Sequence, residues 1–223
     1  MNTLRERLQA IQQSIQHAQQ SSMPVTLVAV SKTQPAHVIR EAFNAGQTQF
    51  GENYLQEALE KQSQLTNLPI EWHFVGPIQS NKTQLLAQHF AWVHSVDRIK
   101  IAQRLNDARP AHLPPLQICI QTNISNESTK SGVSIEELLP LAQAFKNFPN
   151  LKLRGLMAIP APTNDIETQR VQFKAVKKAH EKLINHGFKL DTLSMGMSED
   201  YLIAIEEGAT LVRIGSKIFG ARV

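Results

Sequence analysis

Eight short apolar runs, each followed by a stretch with helical spacing, constrain this chain more than any single motif. They lie at residues 25–31, 48–52, 71–75, 91–95, 116–122, 151–159, 190–193 and 210–214. The first, Val25-Thr26-Leu27-Val28-Ala29-Val30, is apolar or β-branched throughout, as strands buried on both faces are. Strictly alternating strands and helices imply parallel strands joined by crossovers, and eight of them close naturally into a (β/α)8 TIM barrel. An open doubly wound sheet is the second choice, and it leaves two strands over. An extra helix precedes the first strand, with Leu4, Leu8, Ile11 and Ile15 on one face, and reads as a lid or brace. Residues 1–223 read as one α/β domain.

Local signals refine this outline. Thr33 is a candidate N-cap with Pro35 in the first helical turn, and Ser198 caps a helix through Leu202, Ile203 and Ile205. Ser134-x-x-Glu137 has the form of a capping box. Pro140 follows inside the same pattern, so that helix either starts later or kinks there. Ile166, Phe173, Val176 and Leu183 mark a long helix ending at Gly187.

Of the 223 residues, 42% are hydrophobic and 19% charged, which suits a packed core rather than disorder. The single cysteine, Cys119, lies within an apolar run and reads as a small core residue. No intrachain disulfide can form, which fits a reducing compartment. No signal-peptide core or membrane-spanning run is present, so the expected location is cytoplasmic. The net charge of +4 is scattered along the chain, which disfavours nucleic acid and suits a phosphate-bearing ligand.

Barrels of this kind gather chemistry at the C-terminal strand ends. Those ends carry Lys32, Glu52-Asn53, His73, His94, Thr122-Asn123, Met157, residues 194–198 and residues 213–216. Lys32 closes an apolar strand, where lost solvation favours the neutral, nucleophilic amine of a Schiff-base lysine. A lysine snorkelling into water is the plainer alternative. Ser194-Met195-Gly196-Met197-Ser198 and Gly215-Ser216 follow strands seven and eight, the usual place of phosphate sites, although Glu199 and Asp200 sit close by. Arg213 faces the barrel interior, where it meets either a ligand or a carboxylate such as Glu52. His73 and His94 read as satisfied core histidines. The polar loop 125–132 either closes over a ligand with Lys130 or is simply solvated. No metal-ligand spacing, nucleophile elbow, dinucleotide turn or Walker sequence is present.

Several blocks together resemble the pyridoxal phosphate homeostasis protein family (YggS-like). They are Ala29-Val30-Ser31-Lys32-Thr33, Phe50-Gly51-Glu52-Asn53-Tyr54, Trp72-His73-Phe74-Val75-Gly76-Pro77-Ile78-Gln79-Ser80-Asn81-Lys82, Arg154-Gly155-Leu156-Met157-Ala158-Ile159, Ser194-Met195-Gly196-Met197-Ser198-Glu199-Asp200 and Val212-Arg213-Ile214-Gly215-Ser216-Lys217-Ile218-Phe219-Gly220. They run in order through nearly the whole chain. The resemblance implies the barrel of the alanine racemase N-terminal domain, with pyridoxal 5′-phosphate held as an internal aldimine on Lys32. It also implies that Ser194, Ser198, Gly215 and Ser216 hold the phosphate, that Arg213 faces the pyridine nitrogen, and that Asn53 lies near the ring.

An arginine cannot protonate that nitrogen, so the ring remains a weak electron sink. Racemisation also needs a second proton-transfer group. In racemases of this barrel type a tyrosine from an added C-terminal domain and a dimer partner supplies it. Here the chain stops at Val223, and Tyr54 and Tyr201 both fall in barrel helices. The expectation is therefore a monomeric carrier that buffers the cofactor or delivers it to apo-enzymes, with little or no turnover. The alternatives are an amino-acid racemase with Lys32 as base and a cofactor-free aldolase using the same lysine.

Overall fold

The computed structural model describes residues 3–19, 24–124 and 131–220. The chain forms the expected (β/α)8 barrel: among the described residues eight parallel strands close in sequence order, with the last pairing back onto the first. α1 (Leu4–Ala18) leads to β1 (Thr26–Val30) and α2 (Ala36–Asn44), then β2 (Gln49–Glu52) and α3 (Leu55–Gln64). β3 (Glu71–Phe74), α4 (Thr83–His89), β4 (Trp92–Val96) and α5 (Ile99–Ala108) complete the first half. β5 (Leu116–Thr122), α6 (Ile135–Ala144), β6 (Leu151–Ala158) and α7 (Ile166–Asn185) follow. β7 (Thr192–Ser194), α8 (Tyr201–Glu206), β8 (Leu211–Ile214) and the single-turn α9 (Ser216–Phe219) close the ring.

The main core lies between the strands and the outer helices, where Phe50, Ile39, Leu86, Leu105 and Phe173 are fully buried. Each such side chain contributes about 1.5–3 kcal/mol by leaving water. A second cluster, Trp92, Cys119 and Met157, fills the barrel itself. Cys119 is fully buried, as its apolar setting suggests, and burial pushes its thiol up to about 12. Gly155 lets β6 and β7 approach closely, since a Cβ there would lie 1.7 Å from the Thr192 carbonyl oxygen.

The first helix acts as a brace. Its Leu4, Leu8, Ile11 and Ile15 are buried, and Thr3 and Glu6 form a capping box. α1 packs against α2, α8 and α9, and Arg7 Nε donates to the Ile218 carbonyl oxygen at 2.7 Å. Among the described residues β8 is followed only by the short α9. The first helix thus stands where a barrel ordinarily places its eighth long helix.

Four local expectations change. Thr33 does not cap α2: Pro35 occupies the N-cap position, and Thr33 sits in a tight turn with φ 65°. The residue before a proline avoids helical backbone, so the helix cannot begin as early as Thr33. Asp200, not Ser198, precedes α8 as its cap residue. β7 starts at Thr192 rather than 190 and includes Ser194. Ile166 opens α7 but is exposed. The Ser134–Glu137 capping box is present, and α6 runs on through Pro140.

Candidate functional site

Four neighbouring strand ends, those of β7, β8, β1 and β2, assemble most of the expected site residues. Gly215 follows β8 and lies against β1, where a Cβ would stand 3.0 Å from the Val30 carbonyl oxygen. Lys32 leaves that same strand two residues later and is partly buried. Asn53 leaves β2 beside it, with its Oδ1 buried and without a hydrogen-bond partner among the described residues. Gly76 presses onto the Asn53 backbone, so closely that a Cβ would lie 2.1 Å from the Asn53 carbonyl oxygen. Across the loops after β7 and β8, Ser216 Oγ donates to Ser198 Oγ at 3.0 Å. The N–H groups of Ser216 and Lys217 open a helical turn and so have no intrahelical acceptor. Hydroxyls and backbone donors thus lie side by side across these two loops. The nearby Asp200 carboxylate turns back to accept from the Met197 N–H at 2.6 Å.

The turn that carries Lys32 is clamped from behind. Lys61, on α3, is 5% exposed, and its Nζ donates to the Ser31 carbonyl oxygen, Glu52 Oε1 and Glu57 Oε1 at 2.7, 2.7 and 2.5 Å. Ser31 Oγ also donates to Glu52 Oε1 at 2.6 Å, and the Thr33 N–H donates to Glu57 Oε1 at 2.5 Å. Burial raises the Glu52 carboxyl above its ordinary range, with Lys61 opposing. The left-handed backbone of Thr33 costs about 1–3 kcal/mol for a β-branched residue. This cluster is invisible in the hydropathy pattern, and its only sequence signal is the Glu57–Lys61 spacing of one helical turn.

A polar chain crosses the barrel interior below the rim. Arg213, 4% exposed, donates through one guanidinium nitrogen to the Ser194 carbonyl oxygen and Oγ at 2.6 and 2.7 Å. Its other terminal nitrogen donates to the Ala158 carbonyl oxygen at 2.9 Å. Ser194 Oγ also bonds His94 Nδ1 at 2.8 Å, and His94 Nε2 bonds His73 Nδ1 at 2.9 Å. Since β4 and β7 are not neighbours in the ring, the His94–Ser194 bond spans the interior. Burial lowers the arginine to about 10, with the Asp200 carboxylate opposing, so it stays cationic at neutral pH.

Burial also lowers His73 to about 3, and burial, His73 and Arg213 together hold His94 well below its usual value. Both rings are neutral. His73 is only half satisfied, since its Nε2 is buried without a partner among the described residues.

The expected residues therefore fall into two groups. Lys32, Asn53, Ser198, Gly215 and Ser216 lie together at the rim. Ser194 and Arg213 lie beneath them, with the Ser194 hydroxyl committed to Arg213 and His94. The carboxylate partner weighed for Arg213, Glu52, lies outside the barrel wall under α3 and pairs with Lys61 instead. Lys130 lies outside the described residues. No cluster of three His, Cys, Asp or Glu among the described residues could hold a metal ion. No helix among them is long and apolar enough to cross a membrane.

Comparison with known proteins places this geometry. Residues 7–223 match the model of the alanine racemase N-terminal domain. A pyridoxal phosphate homeostasis protein of Pseudomonas aeruginosa PAO1 is 55% identical over 226 residues, covering 100% of this chain and 97% of that protein. The structure of PipY from Synechococcus elongatus PCC7942 with PLP bound superposes with a TM-score of 0.88 at 35% identity, covering 98% of this chain and 100% of that one. The alanine racemase of Clostridium difficile 630 shares the fold, with a TM-score of 0.77 at 15% identity over 98% of this chain and 59% of its own.

Proposed function

The chain belongs to the pyridoxal phosphate homeostasis protein family, and from that membership we propose that it holds pyridoxal 5′-phosphate at the rim of its barrel for cofactor buffering or delivery. The observation that carries this reading is the Ser198–Ser216 hydroxyl pair, which joins two loops beside the strand end bearing Lys32. The residues present fit the group. Two hydroxyls and adjoining backbone donors meet a phosphate ester, and the unpartnered Asn53 Oδ1 faces no competing donor among the described residues.

Lys32 is the amine that condenses with the cofactor's aldehyde, releasing water. Arg213 lies toward the pyridine nitrogen as a fixed cation that donates but carries no transferable proton at neutral pH. When bound, the cofactor supplies an electron sink for carbanions, which Arg213 leaves weak by not protonating the ring. Ser194 acts through Arg213, holding its guanidinium by Oγ and the carbonyl oxygen. We read the protein as a cytoplasmic monomer with little or no turnover on amino acids, supplying apo-enzymes.

The test is the visible absorption spectrum of the purified protein before and after borohydride, for wild type and Lys32→Ala. The reading requires a band that borohydride abolishes and that the variant lacks. Rapid deuterium incorporation at the Cα of an amino acid, dependent on Lys32, favours a racemase and overturns the carrier role.

A further inference from the structure

We propose that Lys61, with Glu57 and Glu52, is a positioning residue for Lys32, fixing the turn from which that amine projects. The inference rests on the reading of Lys32 as the cofactor's amine. An ammonium has three N–H donors, and those of Lys61 are accounted for by Ser31, Glu52 and Glu57. All three acceptors belong or lead to the residues flanking Lys32. Ser31, one residue before, gives its carbonyl oxygen to Lys61 and its hydroxyl proton to Glu52. Thr33, one residue after, gives its N–H to Glu57, which Lys61 also holds. The backbone on both sides of Lys32 therefore hangs on one buried cation.

The conformation being held is not one the chain adopts unaided. Thr33 stands at φ 65°, a region that β-branched residues avoid and that persists only where the surroundings impose it. Without Glu57 the threonine relaxes to negative φ, and the Cα of Lys32 turns with it. An ion pair serving only the fold could be replaced by apolar residues at little loss. This one is coupled to a strained turn at a strand end. The ions lie on the outer side of the wall, so they shape the turn without touching the ligand.

The full chain, with and without cofactor, decides the matter through Lys61→Met, Glu57→Gln, Thr33→Gly and the double variant Glu57→Gln/Thr33→Gly. Condensation with pyridoxal 5′-phosphate is followed by its visible band and by the adduct that borohydride traps on Lys32. Hydrogen exchange of the Thr33 amide is followed without cofactor. Glu57→Gln and Lys61→Met are expected to slow condensation about tenfold or more, as small misplacements of a reacting group do. Glu57→Gln also exposes the Thr33 amide to exchange.

Thr33→Gly restores most of the rate in the Glu57→Gln background, because glycine adopts positive φ without cost. A side chain 28% exposed makes Glu57→Gln the mildest change, so it carries the test if Lys61→Met does not fold. Unchanged condensation in folded Glu57→Gln, or a loss that Thr33→Gly does not recover, overturns the proposal. A wild type that traps no adduct overturns the cofactor reading instead. Retained Thr33 protection in Glu57→Gln then still rejects the clamp.

Discussion

The hydroxyl of Ser216 meets the hydroxyl of Ser198 at 3.0 Å, tying the loops after β8 and β7 across the rim. Ser216 is exposed, whereas Ser198 is largely buried. Replacing both with alanine is expected to weaken pyridoxal 5′-phosphate binding by about tenfold or more, since hydrogen bonds to a charged group contribute about 1.5–3 kcal/mol. Pyridoxal, which lacks the phosphate, should bind the variant and wild type alike. Parallel titrations of the two ligands make the comparison, and an equal loss for both would remove the phosphate assignment.

Ser194 should behave differently. Its Oγ lies between Arg213 and His94 inside the barrel, so Ser194→Ala leaves a buried histidine nitrogen without its partner. The expected cost is about 1–3 kcal/mol of stability, read from urea unfolding. The preference for the phosphorylated ligand over pyridoxal should not change.

Acid should destabilise the protein through its buried histidines. His73 and His94 are held neutral in the fold, the first lowered to about 3, while the unfolded chain protonates near the usual histidine value. Their contribution to stability is complete above that unfolded value. It drains away as pH falls from about 6.5 toward the folded value, at about 1.4 kcal/mol per pH unit for each ring. Thermal midpoints across this window should drop more steeply for wild type than for His73→Gln. Equal slopes would show that His73 is not the buried neutral group.

Gly155→Ala places a methyl 1.7 Å from the Thr192 carbonyl oxygen, against backbone that cannot swing aside. β6 and β7 must separate, and the expected loss is at least about 1–3 kcal/mol. Soluble yield and the urea midpoint report it. A variant as stable as wild type would mean that the two strands are not in this register.

Leu8→Ala tests the brace. Leu8 is fully buried on α1, far along the chain from the α8 and α9 surfaces it helps cover. Truncation there should cost about 2–5 kcal/mol in a cooperative unfolding transition. A separate early transition confined to α1 would show instead that the helix is not integral to the barrel.

Much of this was readable in the residues. The eight strands announced themselves because both their faces are buried, and Leu4, Leu8, Ile11 and Ile15 fell on the buried face expected of them. What stayed hidden was polar burial. Ser194 read as loop because hydropathy cannot see that Arg213 and His94 await it inside, while Phe188 and Leu190 pack on the core from outside the strand and pull the apparent boundary forward. The residues around Lys61 give no sign of its burial for the same reason. Its burial depends on three acceptors from two other elements, a fact of tertiary structure alone. Thr33 and Ser198 looked like caps because their side chains suit that role, but Pro35 and Asp200 took those positions. Lys32 stood out in the sequence because strand ends are where this architecture exposes its chemistry.

The placement of α1 also governs the timing of assembly. This helix is synthesised well before the surfaces it covers on α8 and α9. Until residue 218 has emerged, α1 lacks the last of the helices it packs against. The nascent ring stays open at one seam, and a newly made chain must keep part of an oily stripe out of harm's way until then.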